Sequence, residues 1–196
     1  MTLHASHDDD LTDRQPRAGC FTARSTDAAE PPRQALRQDF LEGMRQVACS
    51  VAVVTTDGPG GRHGATVSAF ASVSADPPTV LVCLRGASRI SAAVGRNGVF
   101  TVSVLTEQEE DVARAFAGEF DAARADRFAD VRLALLPGLA PGIDNTTIFA
   151  CTVIEMLQQH THAVFIGHAA RVIAARRPPL LYHDGSYARL PGRTNA

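Results

Sequence analysis

The sequence predicts a mainly β protein, a closed or split β-barrel with a few peripheral helices. Six or more short runs rich in β-branched and aromatic residues are separated by turns containing Gly, Pro or Asp. Helical periodicity is confined to a few segments, and strands do not alternate regularly with helices as they do in a parallel sheet. The length of 196 residues suits one domain with a tail.

Residues 1–35 hold few large apolar side chains, mix both charges and close on Pro31-Pro32. Such a segment buries too little surface to offset its ordering entropy, so it is expected to be a disordered tail or to drape over a partner subunit. The folded domain then covers 36–196. In "ALRQDFLEGMRQVA", Leu36, Phe40, Met44 and Val47 mark one face of a helix. "SVAVVTT" (50–56), the turn "DGPGG" and "RHGATVSAF" read as a hairpin with a long loop. "PPTVLVCL" (77–84) is a strand opened by prolines, and "SRISAAVGR" a short helix with Ser88 as N-cap. After the strand "GVFTVSVL" (98–105), Thr106 and Glu109 form the spacing of a capping box for a helix that stops at Gly118. Residues 119–145 read as loop. "TTIFACTVIEMLQQ" and "HTHAVFIGHAARVIAA" are long strands, and "LLYHDGSYARL" is a closing β-turn-β unit.

Composition excludes several function classes. The net charge is −2, without the clustered cationic excess that phosphate neutralisation needs, so no nucleic-acid partner is expected. All 19 basic residues are Arg, which rules out chemistry on a lysine amine. Cys20, Cys49, Cys83 and Cys151 show no CxxC spacing, and the last three sit in apolar runs as reduced, buried, small hydrophobes. There is no signal-peptide apolar region and no apolar run near the ~20 residues that span a bilayer, so a cytoplasmic protein without a membrane partner is expected.

Motifs narrow the field further. Neither GxGxxG nor GxxxxGK[ST] nor GxSxG occurs, leaving no conventional phosphate loop and no serine elbow. His160 and His162 lie two apart, which on a strand would turn both toward one ion. No further ligand stands at a suitable spacing, so no metal is assigned. The stretch "HGATVSAFASVSADPP" (63–78) is different. Thr66 and Ser68, then Ser72 and Ser74, fall on alternating positions, with Val67 and Val73 facing the other way. Hydroxyls in an apolar strand are costly unless hydrogen-bonded, so they are satisfied either by local backbone or by the edge of a polar, planar ligand.

The order "FLEGMRQVACSVAVVTTDGPGGRHGATVSAFASVSADPPTVLVCL", "ASRIS", "FTVSVLTEQEEDVARAFAG", "DRF", "THAVFIGHAARV" and "LLYHDGSYARL" resembles the flavin reductase-like family, over about residues 38–191. Within it, the chain is most similar to the small reductase components of two-component, flavin-dependent monooxygenases. The T-x-S-x3-SVS-x2-PP block is the most specific element. The resemblance implies an FMN-binding split barrel, a homodimer, and reduction of FMN or FAD by NADH or NADPH. Diffusible reduced flavin would then serve a separate oxygenase acting on an aromatic compound. By position it assigns flavin contacts to Thr66, Val67, Ser68, Ser72 and Val73, and the flavin phosphate to Arg85 and Ser88. His162 would be the catalytic residue on the nicotinamide side, with Tyr187 near the same pocket. The family's GDH- or THD-like motif reads Thr161-His162-Ala163 here, keeping the histidine and lacking the acid. A barrel that holds FMN tightly, as a prosthetic group, carrier or sensor, is the alternative reading. A metal-dependent barrel enzyme built on His160 and His162 is a third.

Overall fold

The computed structural model describes residues 32–123 and 126–191; the expected tail, apart from Pro32–Ala35, and Cys20 fall outside them. Helix α1 (Arg33–Arg45) follows Pro32, whose lost N–H costs nothing at a helix start. None of its residues is buried, and the periodic face predicted from the sequence stands open: Leu36, Phe40 and Met44 are 55 %, 64 % and 47 % exposed. Val47 lies past the helix end.

Strands β1 (Cys49–Ser50), β2 (Ala52–Thr56), β3 (His63–Val67), β4 (Phe70–Ala75) and β5 (Pro78–Arg85) lead into helix α2 (Arg89–Asn97). Then come β6 (Val99–Val104), helix α3 (Glu110–Ala117), the short pair β7 (Leu133–Ala134) and β8 (Gly142–Ile143), and the long hairpin β9 (Thr147–Gln159) and β10 (His162–Ile173). β11 (Leu181–His183) and β12 (Ser186–Ala188) close the chain. The main sheet has seven strands in the order β3-β2-β6-β9-β10-β5-β4, every neighbouring pair antiparallel. Its two edges, β3 and β4, are consecutive in the chain, joined only by Ser68 and Ala69. Laid flat, six strand spacings would separate those edges by about 29 Å, whereas the link from Val67 to Phe70 reaches about 10 Å at most. The sheet must therefore curl until its two edges come within reach of that link, and the Cys83 amide, donating to the Ala69 carbonyl at 3.0 Å, shows that Ala69 already stands on the β4 side of the seam. This is the split barrel expected from the sequence.

Two cores lie on opposite faces of β2, which is why "VAVVTT" is buried throughout. Ala52 and Val54 join Val82, Leu84, Phe100, Val102 and Phe165 inside the barrel, sealed by Ile90 and Val94 of α2. Val51 and Val53 face Leu105, Phe116, Phe128, Ile143 and Leu180 under α3. Buried strand hydroxyls anchor the loop that crosses this second face. Thr55 Oγ1 donates to the Pro141 carbonyl, Thr101 Oγ1 to that of Ala140 at 2.6 Å, and Ser103 Oγ accepts from the Ile143 amide at 2.9 Å.

Local capping follows the sequence with one change. Ser88 caps α2, its Oγ accepting from the Ser91 amide at 3.3 Å, and Gly98 ends that helix with a left-handed φ of 68°. At α3 only half of the capping box forms: the Thr106 amide donates to Glu109 Oε2 at 2.6 Å, while Thr106 Oγ1 is buried without a partner among the described residues. Thr106 is drawn into a bridge with Pro179, and the Glu107 amide donates to the Pro178 carbonyl, so the helix starts later and Glu109 becomes its N-cap. Of the cysteines, Cys151 alone among those described is buried, its thiol pushed up to about 12 by burial. Cys49 and Cys83 are half-buried, because β1 and β5 do not hide them fully.

Inside the barrel Gly167 of β10 allows the Phe100 ring to approach the strand closely. A Cβ there would sit 2.6 Å from Phe100 Cε1 and 3.0 Å from Cys151 Cβ. Gly167→Ala is expected to destabilise the fold by about 1–3 kcal/mol, the usual cost of overpacking. Urea unfolding should show a lower midpoint at unchanged slope, and an unchanged midpoint would contradict the packing described.

Candidate functional site

Where the chain crosses the seam, its amides leave one ladder before they join the next, although the Ala69 carbonyl already accepts from Cys83 of β5. The Ser68 and Ala69 amides and the Ser68 hydroxyl have no hydrogen-bond partner among the described residues. Both residues are exposed, so solvent is at hand for the free groups. The four hydroxyls of the block divide. Thr66 Oγ1 donates to the Ala113 carbonyl of α3 at 2.7 Å, and Ser74 Oγ bonds locally to the Asp76 amide and carbonyl. Ser68 and Ser72 remain available. A β-bulge between Ser72 and Ser74 breaks the two-residue alternation of β4, leaving Val73 half-exposed as the extra residue.

A cavity of about 480 Å³ opens beside the seam, a size suited to a small-molecule ligand. Thr66, Val67 and Ser68 form one wall, α3 a second, and the β11–β12 hairpin the third. The Thr66–Ala113 bond fixes the first two walls together. On α3, Arg114 bonds Glu110 Oε1 through Nη2 at 2.7 Å and Glu119 Oε2 through Nη1 at 3.0 Å. These two carboxylates hold its guanidinium charged well beyond its ordinary range. The same guanidinium lies 5.1 Å from the Tyr187 ring centroid, and Tyr182 meets Tyr187 edge to face at 5.4 Å. Burial, then the Glu119 charge, raise the Tyr187 phenol, which stays protonated and able to donate at neutral pH.

The remaining candidates stand elsewhere in the chain. Arg85 and His162 are opposite each other at one end of the β5–β10 ladder, and both are exposed. β10 is two strand spacings, roughly 10 Å, from the Ser68–Ala69 link. Ser88 Oγ donates to the Arg85 carbonyl at 2.6 Å and borders a second cavity of about 600 Å³. The arginines of that cavity near the 121–128 segment are already paired, Arg127 with Asp121 at 2.5 Å and Arg62 with Asp126 at 3.3 Å. The hydrogen bond from Arg127 holds the Asp121 carboxyl below its ordinary value. Tyr187 thus shares a cavity with Thr66, Val67 and Ser68, while His162 does not line it. His160 is a turn residue with φ 47°, so it and His162 are not strand neighbours on one face. Among the described residues no group of three metal-ligating side chains converges, and no helix is long and apolar enough to cross a membrane.

The sequence reading missed the charged wall of the cavity. Glu110 and Arg114 carry an i,i+4 signature, but such pairs are ordinary on helix surfaces. Glu119 and Tyr182 reach the cavity only through tertiary folding.

Comparison with known proteins agrees with this architecture. The model of the flavin reductase like domain matches residues 44–191. The FMN reductase (NADH) RutF of Methylorubrum extorquens is 37 % identical over 173 residues, covering 87 % of this chain and 82 % of that protein. Among solved structures, the NADH:FAD oxidoreductase SgcE6 of Streptomyces globisporus, in complex with NAD and FAD fragments, superposes with a TM-score of 0.74 at 26 % identity. The match covers 85 % of this chain and all of that one (100 %). The styrene monooxygenase flavin reductase of Pseudomonas putida S12 gives 0.69 at 28 % identity, covering 78 % and 97 %. With its barrel closed by the "TVSAFASVS" segment and matched from Met44 to Pro191, the chain belongs to the flavin reductase like domain family.

Proposed function

We propose that this protein is an NADH-dependent flavin reductase whose flavin binds along the barrel seam. The observation that carries the reading is the pair of unpartnered amides at Ser68 and Ala69, with the Ser68 hydroxyl, Ser68 lining a cavity of about 480 Å³. Flavin's pyrimidine edge presents carbonyl and ring-nitrogen acceptors, which fit that donor set. The relatives support the same chemistry, since RutF is named for FMN and NADH and SgcE6 for NADH and FAD.

Bound flavin supplies the ring that accepts a hydride from the nicotinamide, so the protein needs no strong acid or base. Its residues orient and stabilise. Donors at Ser68 and Ala69 favour negative charge arriving on the pyrimidine edge, by the logic of an oxyanion hole. Thr66 holds the seam against α3, and Tyr187 offers an aromatic face in the same cavity. His162 orients the nicotinamide, while Ser72, Val73, Arg85 and Ser88 extend the flavin contact toward its phosphate. Short, neutral donors suit a flavin that departs after reduction. We place this protein in a homodimer whose interface draws on the open face of α1, and beside a separate oxygenase that receives the reduced flavin. The styrene monooxygenase reductase is a neighbour of that kind.

A steady-state assay crossing NADH and NADPH with FMN, FAD and riboflavin tests the reading. Catalytic NADH loss with excess free flavin is expected; tight, stoichiometric flavin without turnover would contradict it. Ser68→Leu should raise the flavin Kd about tenfold or more, the scale of one good hydrogen bond lost together with steric exclusion. Fluorescence titration measures it, and an unchanged Kd removes Ser68 from the site. His162→Ala should cut kcat/KM for NADH about tenfold while moving the flavin Kd by less than about twofold. Equal loss of both would remove the nicotinamide role.

A further inference from the structure

The turn between β9 and β10 holds a side-chain pair that the proposed mechanism does not yet use. Thr161 Oγ1 lies 2.9 Å from His162 Nδ1. The backbone beneath this pair is pinned on both sides. The Gly86 amide donates to the Thr161 carbonyl at 2.9 Å, and Gln158 Nε2 donates to the His160 carbonyl at 3.0 Å. His160 takes the left-handed conformation that lets two residues reverse the chain, and His162 is in register with both Gln159 and Arg85. A β-branched residue has few χ1 choices. On a pinned backbone its hydroxyl has few positions, and the one it takes reaches the imidazole at 2.9 Å.

We infer that Thr161 is a positioning residue that sets the tautomer of His162, donating its hydroxyl proton to Nδ1 and leaving Nε2–H as the outward donor. The inference rests on His162 serving the nicotinamide. In a neutral imidazole one nitrogen carries the proton, and the bond made by the other decides which. An imidazole nitrogen is a much stronger base than a hydroxyl oxygen, so the pair is more stable with the O–H donating. The ring then offers a donor to the ligand. That selects a carbonyl acceptor, such as the carboxamide oxygen of a nicotinamide, over an amino group. A carboxylate at 161 would do the opposite: it only accepts, so it would hold the proton on Nδ1 and turn Nε2 into an acceptor.

The test is the ring-nitrogen NMR of His162 in full-length protein, by long-range ¹H–¹⁵N correlation at alkaline pH, read where the ring shifts no longer change with pH. The wild type and Thr161→Ser should show the Nε2–H form, Thr161→Val a mixture, and Thr161→Asp the Nδ1–H form. In parallel, KM for NADH should rise about three- to tenfold in Thr161→Val, recover in Thr161→Ser and leave kcat nearly unchanged. A wild type in the Nδ1–H form, or a valine variant with the wild-type tautomer, overturns the inference. Absence of NADH-dependent flavin reduction in the wild type would overturn the functional reading instead, and the NMR result stands apart from it.

Discussion

The rest of the structure depends on a two-residue bridge. Ser68 and Ala69 carry the chain from one edge of a seven-stranded sheet to the other, a step that only a curled sheet permits. Closure brings the two edges together at this link without pairing them: no ladder joins β3 to β4, and five of the six β4 residues stay exposed. It also leaves the Ser68 and Ala69 amides outside both ladders, because the chain turns away from β2 there, and only the Ala69 carbonyl has yet joined β5, through the Cys83 amide. The free amides that suit a flavin edge are thus a by-product of barrel closure, present without strain and without a dedicated loop.

A second constraint orients what surrounds the seam. α3 lies over the outer face of β2, held by Phe116 and Ala113 in the second core, and by the hydrogen bond from Thr66 to the Ala113 carbonyl. From that position Arg114 spans Glu110 and Glu119 and lies against Tyr187. Each exposed ion pair contributes little to stability. Their effect is geometric, because a guanidinium fixed from two sides keeps the aromatic wall of the cavity in place. Hydroxyls serve similarly in the core, where Thr55, Thr101 and Ser103 tie the loop before β9 to the barrel.

Most of the fold was legible in the sequence because burial left a direct signature. "SVAVVTT" reads as a continuous β-branched run since both faces of β2 are covered, and the β2–β3, β9–β10 and β11–β12 hairpins follow from strand runs broken by turns. The candidate site was legible in part. The hydroxyls of residues 66–74 marked the seam, but their division did not, since the acceptor for Thr66 is 47 residues away. His160 carries no turn signal of the Asn-Gly kind, so the two histidines looked like strand neighbours. The period of α1 was readable, whereas its uncovered face depends on what packs against it. Arg114 and Glu119 reach the cavity through tertiary folding, which no local pattern reports.

The proposed flavin site at the barrel seam makes a prediction for individual backbone amides. Titrating ¹⁵N-labelled protein with oxidised FMN and following backbone amide shifts tests it most directly. The largest shifts should fall on Ser68 and Ala69, with smaller ones along β3 and α3. Shifts confined to the second cavity, around Arg62 and Arg127, with Ser68 and Ala69 unmoved at saturation, would contradict it.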